Sequence, residues 1–583
     1  MLRATFAGFS TALSAMQSNQ KRLDITGQNL ANMNTVGYTR QRLETSSLNY
    51  TNPVSKYMCS PDLTVGFGVS MDRISQVRDP YLDAQYRTQM SKASYKDAFQ
   101  TSLDSLADVL DESTIDGITA AFNNIQSTLT SIHDNANVND AVFESELRSR
   151  MQALTNLLNE AAGHIAKAEQ AEYERLDGTN QSENGAMQEV NDLLRQIGDL
   201  NVQIKRNQVL GQPSLELMDE RNMLLDTLSS YIPIEVSYFK DAEHSGFYTI
   251  PGVTDAAGNL IQFDKMDELD KNYNVIGKKE WPDDLKVEML YTDANGVTQR
   301  FTLVNGSEGG LGNNYGQMSV NGNRPSLDAD EYDDNAGDAI TTSFTFPKGG
   351  TNSVTISADK NGPNHFNSGS IQASLDMLEK TGNGGINDIH GYEYYNDQLD
   401  TLAKAFAGMM NAINNKGNGA AGGNQYDILA SRNGNDITAG NITIAADWIN
   451  GTISIGKGGD NITDTVTDML EAMKKTYPDP SANSNLPAVP GMNLGNNTFA
   501  NFMNHVSTTL ANDSLNNTMS LKSSVTVLNG LQDSRDSVSG VSLDEEASNM
   551  MTYMSAYNAA ARLMTALDEA LNTLINNTGL VGR

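Results

Sequence analysis

Residues 542–577 read SLDEEASNMMTYMSAYNAAARLMTALDEALNTLINN. Apolar side chains fall at Leu543, Ala547, Met550, Met554, Tyr557, Ala561, Met564, Leu567, Leu571 and Leu574, with steps of three and four, which is the helical period and not the strand period. One long amphipathic helix follows. Ser542 with Glu545 three positions later is a capping-box start, and Asn577-Thr578-Gly579 is a turn-forming stop. At the other end of the chain Leu2, Phe6, Phe9, Leu13, Met16, Leu23 and Leu30 share one heptad register, interrupted at Gln20 and Gly27. At about 1.5 Å per residue each helix is roughly 45–50 Å long, and an apolar stripe of that length has to be covered by something. Packing of each helix into a core of its own is the ordinary expectation. The stripes instead sit at the two extremes of a chain whose interior has its own helices, so an N-with-C coiled coil that also meets neighbouring subunits is expected.

Length and charge narrow the function. A chain of 583 residues can bury several cores. Its 40 Lys+Arg against 72 Asp+Glu give a formal net charge of -32, which repels phosphate backbones and anionic membranes, so no nucleic-acid partner is expected. Cys59 is the only cysteine; no intramolecular disulfide, cysteine-cluster zinc site or CxxC motif can form. The N-terminus leads into an amphipathic helix and lacks the apolar core and cleavage site of a secretory signal, and no later run approaches the about 18 apolar residues of a membrane span. Hydrophobic content of 38% with Asn- and Gly-rich stretches suits an elongated protein with much surface.

After the first helix, Asn29-Leu30-Ala31-Asn32-Met33-Asn34-Thr35-Val36-Gly37-Tyr38-Thr39-Arg40-Gln41 stops the helix, turns, and enters an extended segment through Leu43. This run resembles the N-terminal signature of the flagellar axial family of rod, hook and hook-associated proteins. Ser539-Gly540-Val541-Ser542-Leu543-Asp544-Glu545-Glu546 is similar to the segment that introduces the last helix in hook-associated, junction-forming members. The matching positions are Asn29, Asn32, Thr35, Gly37, Tyr38 and Arg40 at one end and Gly540, Val541, Leu543, Asp544, Glu545 and Glu546 at the other. Leu217 to Leu225 is similar to the family's Leu-Asp-x-Arg-Asp-x-Leu-Leu segment, with Asn222 where an Asp is usual; from the residues alone it reads as an intrahelical Glu/Arg surface pattern.

Between the termini the helical period dominates from Asp79 to about Tyr231. It runs through Phe99, Leu103, Leu106 and Leu110; Ile118 to Ile132; Val142 to Leu176; Val190 to Ile204; and Leu215 to Leu228. Near Ile232-Pro233 the period becomes two, with hairpins expected at Asn295-Gly296 and between Phe346 and Val354. Helices return at Ser370 and Tyr395 to Ile413. From Gly417 to about Gly495 Gly, Asn and Pro dominate, with strand-like Ile442-Thr443-Ile444 and Ile453-Ser454-Ile455, before Phe499 to Leu531 turns helical again. The expected organisation is multidomain α+β. Residues 1–40 plus 541–583 form a terminal coiled-coil domain, and 41–235 plus 366–416 plus 498–540 a discontinuous helical rod domain. Residues 236–365 form a β-rich outer insert, and 417–497 a second smaller insert or extended decoration.

Catalytic and cofactor motifs do not emerge. There is no HExxH, G-x-S-x-G or GxxxxGK[ST], and the histidines are scattered without ligand spacing. Asp328, Asp330, Glu331, Asp333, Asp334 and Asp338 crowd one loop but miss the EF-hand pattern, so a solvated acidic loop is expected over a calcium site. Sequons at Asn441, Asn450 and Asn461 are expected by chance in an Asn/Thr-rich chain. No enzyme, metal or cofactor is expected.

The resemblance implies a structural adaptor between hook and filament, which is secreted through the flagellar type III export pathway without signal cleavage and assembles extracellularly at the growing tip. Implied partners are further copies of the chain in a ring or helix, the hook protein, the next hook-associated junction protein, the filament cap during assembly, and an export chaperone. Subunit contacts are expected at Leu2, Phe6, Phe9, Leu13, Met16, Leu23, Leu30, Met550, Met554, Tyr557, Met564, Leu567, Leu571 and Leu574. Family analogy adds Met550, Met554, Met564 and Leu571 as the chaperone face. The alternatives are another axial component, such as a hook or distal rod protein, or an adhesin or hydrolase carried on the β insert.

Overall fold

The computed structural model describes residues 2–48, 68–110, 112–134, 141–178, 185–241, 244–254, 259–278, 281–325, 339–358, 364–380, 390–456, 462–477, 486–489 and 492–576. Cys59, the acidic loop 328–338 and the expected stop at Asn577-Thr578-Gly579 lie outside them.

The chain opens with helix α1 (Leu2–Ala31) and the antiparallel hairpin β1 (Gln41–Ser47) and β2 (Val69–Gln76). Five helices follow: α2 (Pro80–Val109), α3 (Glu112–Asp134), α4 (Ala141–Asp177), α5 (Ala186–Val209) and α6 (Leu215–Tyr231). Their starts are written locally. Asp79 caps α2 by accepting from the Tyr81 N–H at 2.9 Å, with Pro80 in the first turn where no amide donor is needed. Phe99, Leu103 and Leu106 on α2, Phe122 and Ile125 on α3, and Leu147, Met151 and Leu154 on α4 recur at three and four, and all are buried in one core.

A β-rich section then runs from β3 (Ile234–Phe239) through β4 (Phe247–Thr254), β5 (Leu260–Asp264), β6 (Asp267–Leu269), β7 (Val275–Lys278), β8 (Asp284–Asp293), β9 (Thr298–Asn305), β10 (Gln317–Asn321), β11 (Thr341–Phe346) and β12 (Asn352–Ile356) to β13 (Asn364–His365). Strand β8 is the centre of a four-stranded antiparallel sheet, flanked by β3, β9 and β13, with Val287 opposite Val236 and Val304. Its alternating Leu285, Val287 and Met289 point inward, as a sheet with one covered face requires. The β8–β9 turn is at Asn295-Gly296, where Asp293 accepts from the Asn295 and Val297 amides and Gly296 takes φ +76. A second sheet, β10–β11–β12, packs Phe344 beside Met318 and Val354. Both sheets share a second core with α5, α6 and α7 (Ser370–Met377), so this insert sits directly on the helical body.

Helix α8 (Tyr392–Gly417) leads into β14 (Leu429–Ser431), β15 (Ile442–Ile444), α9 (Ala446–Ile449) and α10 (Ile462–Lys474). This Gly/Asn-rich region does not stand off as a decoration. Trp448, Leu429, Ile442, Met469 and Tyr477 belong to the same core as Phe122 and Phe406. The reason is a row of asparagines on α8. Asn411 accepts from the Ile428 and Leu429 amides and donates to the Leu429 carbonyl, while Asn414 donates to Tyr426 O and accepts from Gly456 N. Each side chain imitates a strand edge and satisfies loop backbone that would otherwise be buried without partners. Ile453 and Ile455 are buried in turns and form no strand, and α10 is a helix the Gly/Asn content concealed. The chain ends with α11 (Phe499–Ser539) and α12 (Leu543–Asn576), parted by three residues.

Candidate subunit-interface site

The N-terminal signature is a clamp built from side-chain amides. Asn29, fully buried near the end of α1, donates from Nδ2 to the Gln41 carbonyl at 3.0 Å, and its Oδ1 accepts from the Gln41 amide at 3.0 Å and the Tyr38 hydroxyl at 2.9 Å. One amide thus pairs with both polar groups of a β1 residue, as a neighbouring strand would. Thr35 donates to Asn32 Oδ1 across the turn. Gly37 takes φ +80, the left-handed region that favours glycine, and a Cβ there would also push against the Met223 side chain. Burial, helped by the Asp219 charge, pushes the Tyr38 phenol up to about 12.

Thr39 and Arg40 then tie this clamp to distant segments. Asp219 on α6 accepts from the Thr39 amide at 3.1 Å, the Thr39 hydroxyl at 2.6 Å and Gln76 Nε2 at 2.8 Å. Burial raises its carboxyl pKa, and the Thr39 hydrogen bonds and Arg78 act against that rise. The surface pattern expected for Leu217–Leu225 is therefore wrong. Asp219, Arg221 and Asn222 are all buried, Arg221 donating to Asn201 Oδ1 at 2.8 Å, with its guanidinium lowered to about 10 by burial. Their partners lie on other elements, which intrahelical spacing could not reveal. A second polar knot joins three helices: Arg87 of α2 and Arg535 of α11 both pair with Asp226 of α6, at 2.8 and 2.6 Å, and Arg78 forks onto Asp83. Nothing in the sequence spacing singled out these residues.

Arg40 carries the connection between the two signatures. Its amide donates to the Ser539 carbonyl at the end of α11, its Nη1 lies 2.8 Å from Glu545 Oε2, and its Nε lies 2.9 Å from Glu546 Oε1. Glu546 is 2% exposed. One guanidinium thus holds two adjacent carboxylates and the joint between α11 and α12, 505 residues away. The capping box is only half made: Ser542 Oγ accepts from the Glu545 amide at 3.5 Å, while the Glu545 carboxylate goes to Arg40. At Gly540 a Cβ would sit 2.4 Å from the Asp536 carbonyl, which keeps this joint free of side chains.

Beyond the joint, α12 lies along α1. Leu567 methyls pack 3.3 Å from where Gly8 would carry a Cβ, and Arg22 lies over the Tyr553 ring at 5.5 Å. The pair is thinly covered. On α12 only Glu546 and Ala560 are buried. Met550, Tyr557, Met564, Leu567, Leu571 and Leu574 are half-buried, as are Phe9, Met16, Leu23 and Leu30 on α1, with Leu13 43% exposed. The side chains of Leu2 and Phe6 lie outside the described residues. Met554 does not share the half-buried face: it is 54% exposed, on an outer side with Met551 and Leu563. The helix has more apolar residues than one stripe holds, and the outer face of this pair stays open among the described residues.

Among the described residues no group of three or more His, Cys, Asp or Glu is placed to hold a metal ion. No helix is long and apolar enough to cross a membrane.

Three family models match the chain. Flagellar hook-associated protein FlgK helical domain covers residues 103–251, flagella basal body rod protein covers 9–39, and flagellar basal body rod FlgEFG protein C-terminal covers 533–577. The last two include Arg40's neighbours and its two glutamate partners. Flagellar hook-associated protein 1 of Bacillus subtilis is 26% identical over 100% of both chains. The protein of that name from Escherichia coli is 22% identical over 41% of each. A solved structure of the flagellar hook junction protein FlgK from Burkholderia pseudomallei aligns with 60% of this chain and 46% of that one, at 17% identity and a TM-score of 0.34, too low to bear on the fold. With matches at both termini and in the helical body, and a relative aligned over its full length, the chain is similar from end to end to flagellar hook-associated protein 1.

Proposed function

We propose that the chain is a non-enzymatic structural adaptor at the junction between flagellar hook and filament, assembled there from copies of itself. The observation that carries this reading is the α1–α12 pair: the Arg40 clasp fixes its base to the body, and among the described residues nothing covers its apolar outer face. An amphipathic helix with an open stripe is marginal alone and is completed when a neighbour supplies the missing surface. In the assembled tube the terminal pair forms the inner layer, the helical body surrounds it, and the β section faces outward. The hook protein on one side and the next junction protein on the other are the axial partners, with the filament cap above during assembly. Export through the type III pathway suits a chain whose thinly packed terminal helices complete their packing only on assembly. Met550, Met564 and Leu571 on the stripe that faces α1, together with Met554 on the outer side, would present apolar surface to an export chaperone that wraps the helix beforehand.

Deleting the gene should leave cells that build hooks and release unpolymerised flagellin. Filamentous cells lacking the chain would contradict the reading. Met554→Asp places a charge on the outer face without disturbing a buried contact, so the helical circular dichroism should not change. Chaperone capture and incorporation into flagella should each fall at least tenfold, and normal incorporation would count against this face.

A further inference from the structure

We propose that the arm formed by β4 to β7 is a contact surface between copies of this chain in the assembled flagellum, an inference that rests on the junction reading above. The arm has a firm base. Asp241, just before it, accepts from Trp281 Nε1 at 2.5 Å and pairs with His244 at 2.6 Å and with Lys205 of α5 at 3.2 Å, while the His244 ring stacks on Trp281 at 3.7 Å. Both ends of the arm are thereby fixed to the helical body.

Its outer part is uncovered. Strands β4–β5 and β6–β7 form two separate two-stranded sheets, so among the described residues each strand is paired along one edge only. Isolated two-stranded sheets are marginal in water, and an open strand edge is a template for another strand. Phe247, Tyr248, Leu260, Tyr273, Val275 and Ile276 are 37–70% exposed on these hairpins. At roughly 150–250 Å² for a large side chain, they leave on the order of 500 Å² of apolar surface open. Spread over the two hairpins, that is more than half of the about 800 Å² each partner gives to a standard interface. The occupant is a second copy for two reasons. The same arm on a neighbour offers the same open edges, and an edge can pair with its own kind. From Phe247 to Phe263 Asp255 is the only charged residue, and on the rest of the arm Asp264, Asp267, Glu268 and Asp270 are largely offset by Lys265, Lys271 and Lys278, so two chains of net charge -32 meet here with less like-charge repulsion than their overall charge implies.

The test uses the full-length chain on flagellated cells, with Phe247→benzoylphenylalanine as a photoreactive probe and Met554→benzoylphenylalanine as a second position. Illumination of assembled flagella should give an adduct of twice the chain's mass from position 247. Adding Leu260→Asp and Ile276→Asp should reduce that adduct at least tenfold. An adduct with a different protein, or none at position 247, overturns the proposal. A self-adduct at position 554 in those same flagella would show that the junction reading survives its failure.

Discussion

Replacing Arg40 with alanine is expected to release the terminal helix pair from the body of the protein and to abolish assembly. Glu546 has a side chain 3% exposed and takes its cation from Arg40 Nε at 2.9 Å. Removing one partner of a buried ion pair leaves the other charged, desolvated and unpaired, which costs about 3–5 kcal/mol. Glu545 loses its contact too, but it is exposed and contributes little. Arg40→Lys should recover less than half, because a single ammonium cannot fork onto two carboxylates. Arg40→Ala with Glu546→Gln should recover more, since no buried charge is then stranded. Limited proteolysis between α11 and α12 reads the loss directly: cleavage near Gly540 should accelerate at least tenfold in Arg40→Ala. Unchanged cleavage and normal incorporation would mean that the clasp does not hold the joint.

Glu393→Gln is expected to stabilise the helical body, increasingly so as pH rises. Glu393, at the start of α8, is 7% exposed, and its Oε2 has no hydrogen-bond partner among the described residues. Burial first, then the charges of Asp397, Glu169 and Asp400, raise its carboxyl from 4.5 to about 9. The folded chain therefore holds a proton that the unfolded chain gives up above its ordinary value. Stability is fully present below pH 4.5 and falls as pH rises through the window up to about 9. A neutral glutamine has no proton to lose. At pH 8 the variant should exceed the parent by about 2–4 kcal/mol, an order-of-magnitude figure from the size of the shift, and near pH 4.5 the two should converge. Urea unfolding at both pH values checks this, and a difference independent of pH would contradict it.

Helix positions were readable because the information is local. The three- and four-residue steps from Leu147 to Leu158 on α4, or from Val190 to Ile204 on α5, report a buried face without reference to any partner. The hairpin at Asn295-Gly296 was readable for the same reason: a positive φ leaves its mark in residue type. Polar tertiary contacts leave no such mark. Thr39 and Asp219 are 180 positions apart, and Arg535 and Asp226 are 309 apart. Nothing in either residue's neighbours indicates its partner. The attachment of the Gly/Asn-rich region to the body was not legible, because it is made by Asn411 and Asn414 of α8, whose buried side chains bind loop backbone 12 to 18 positions away. Met554 was placed on the inner stripe because period alone does not separate two apolar faces on one helix.

The central claim is that the terminal seams are completed by neighbouring copies. Amide hydrogen exchange across residues 8–30 and 550–574, compared between dilute monomer and assembled flagella, tests it most directly. Exchange close to the unprotected rate in the monomer, with strong protection after assembly, is the predicted result. Equal, strong protection in the dilute monomer would contradict it.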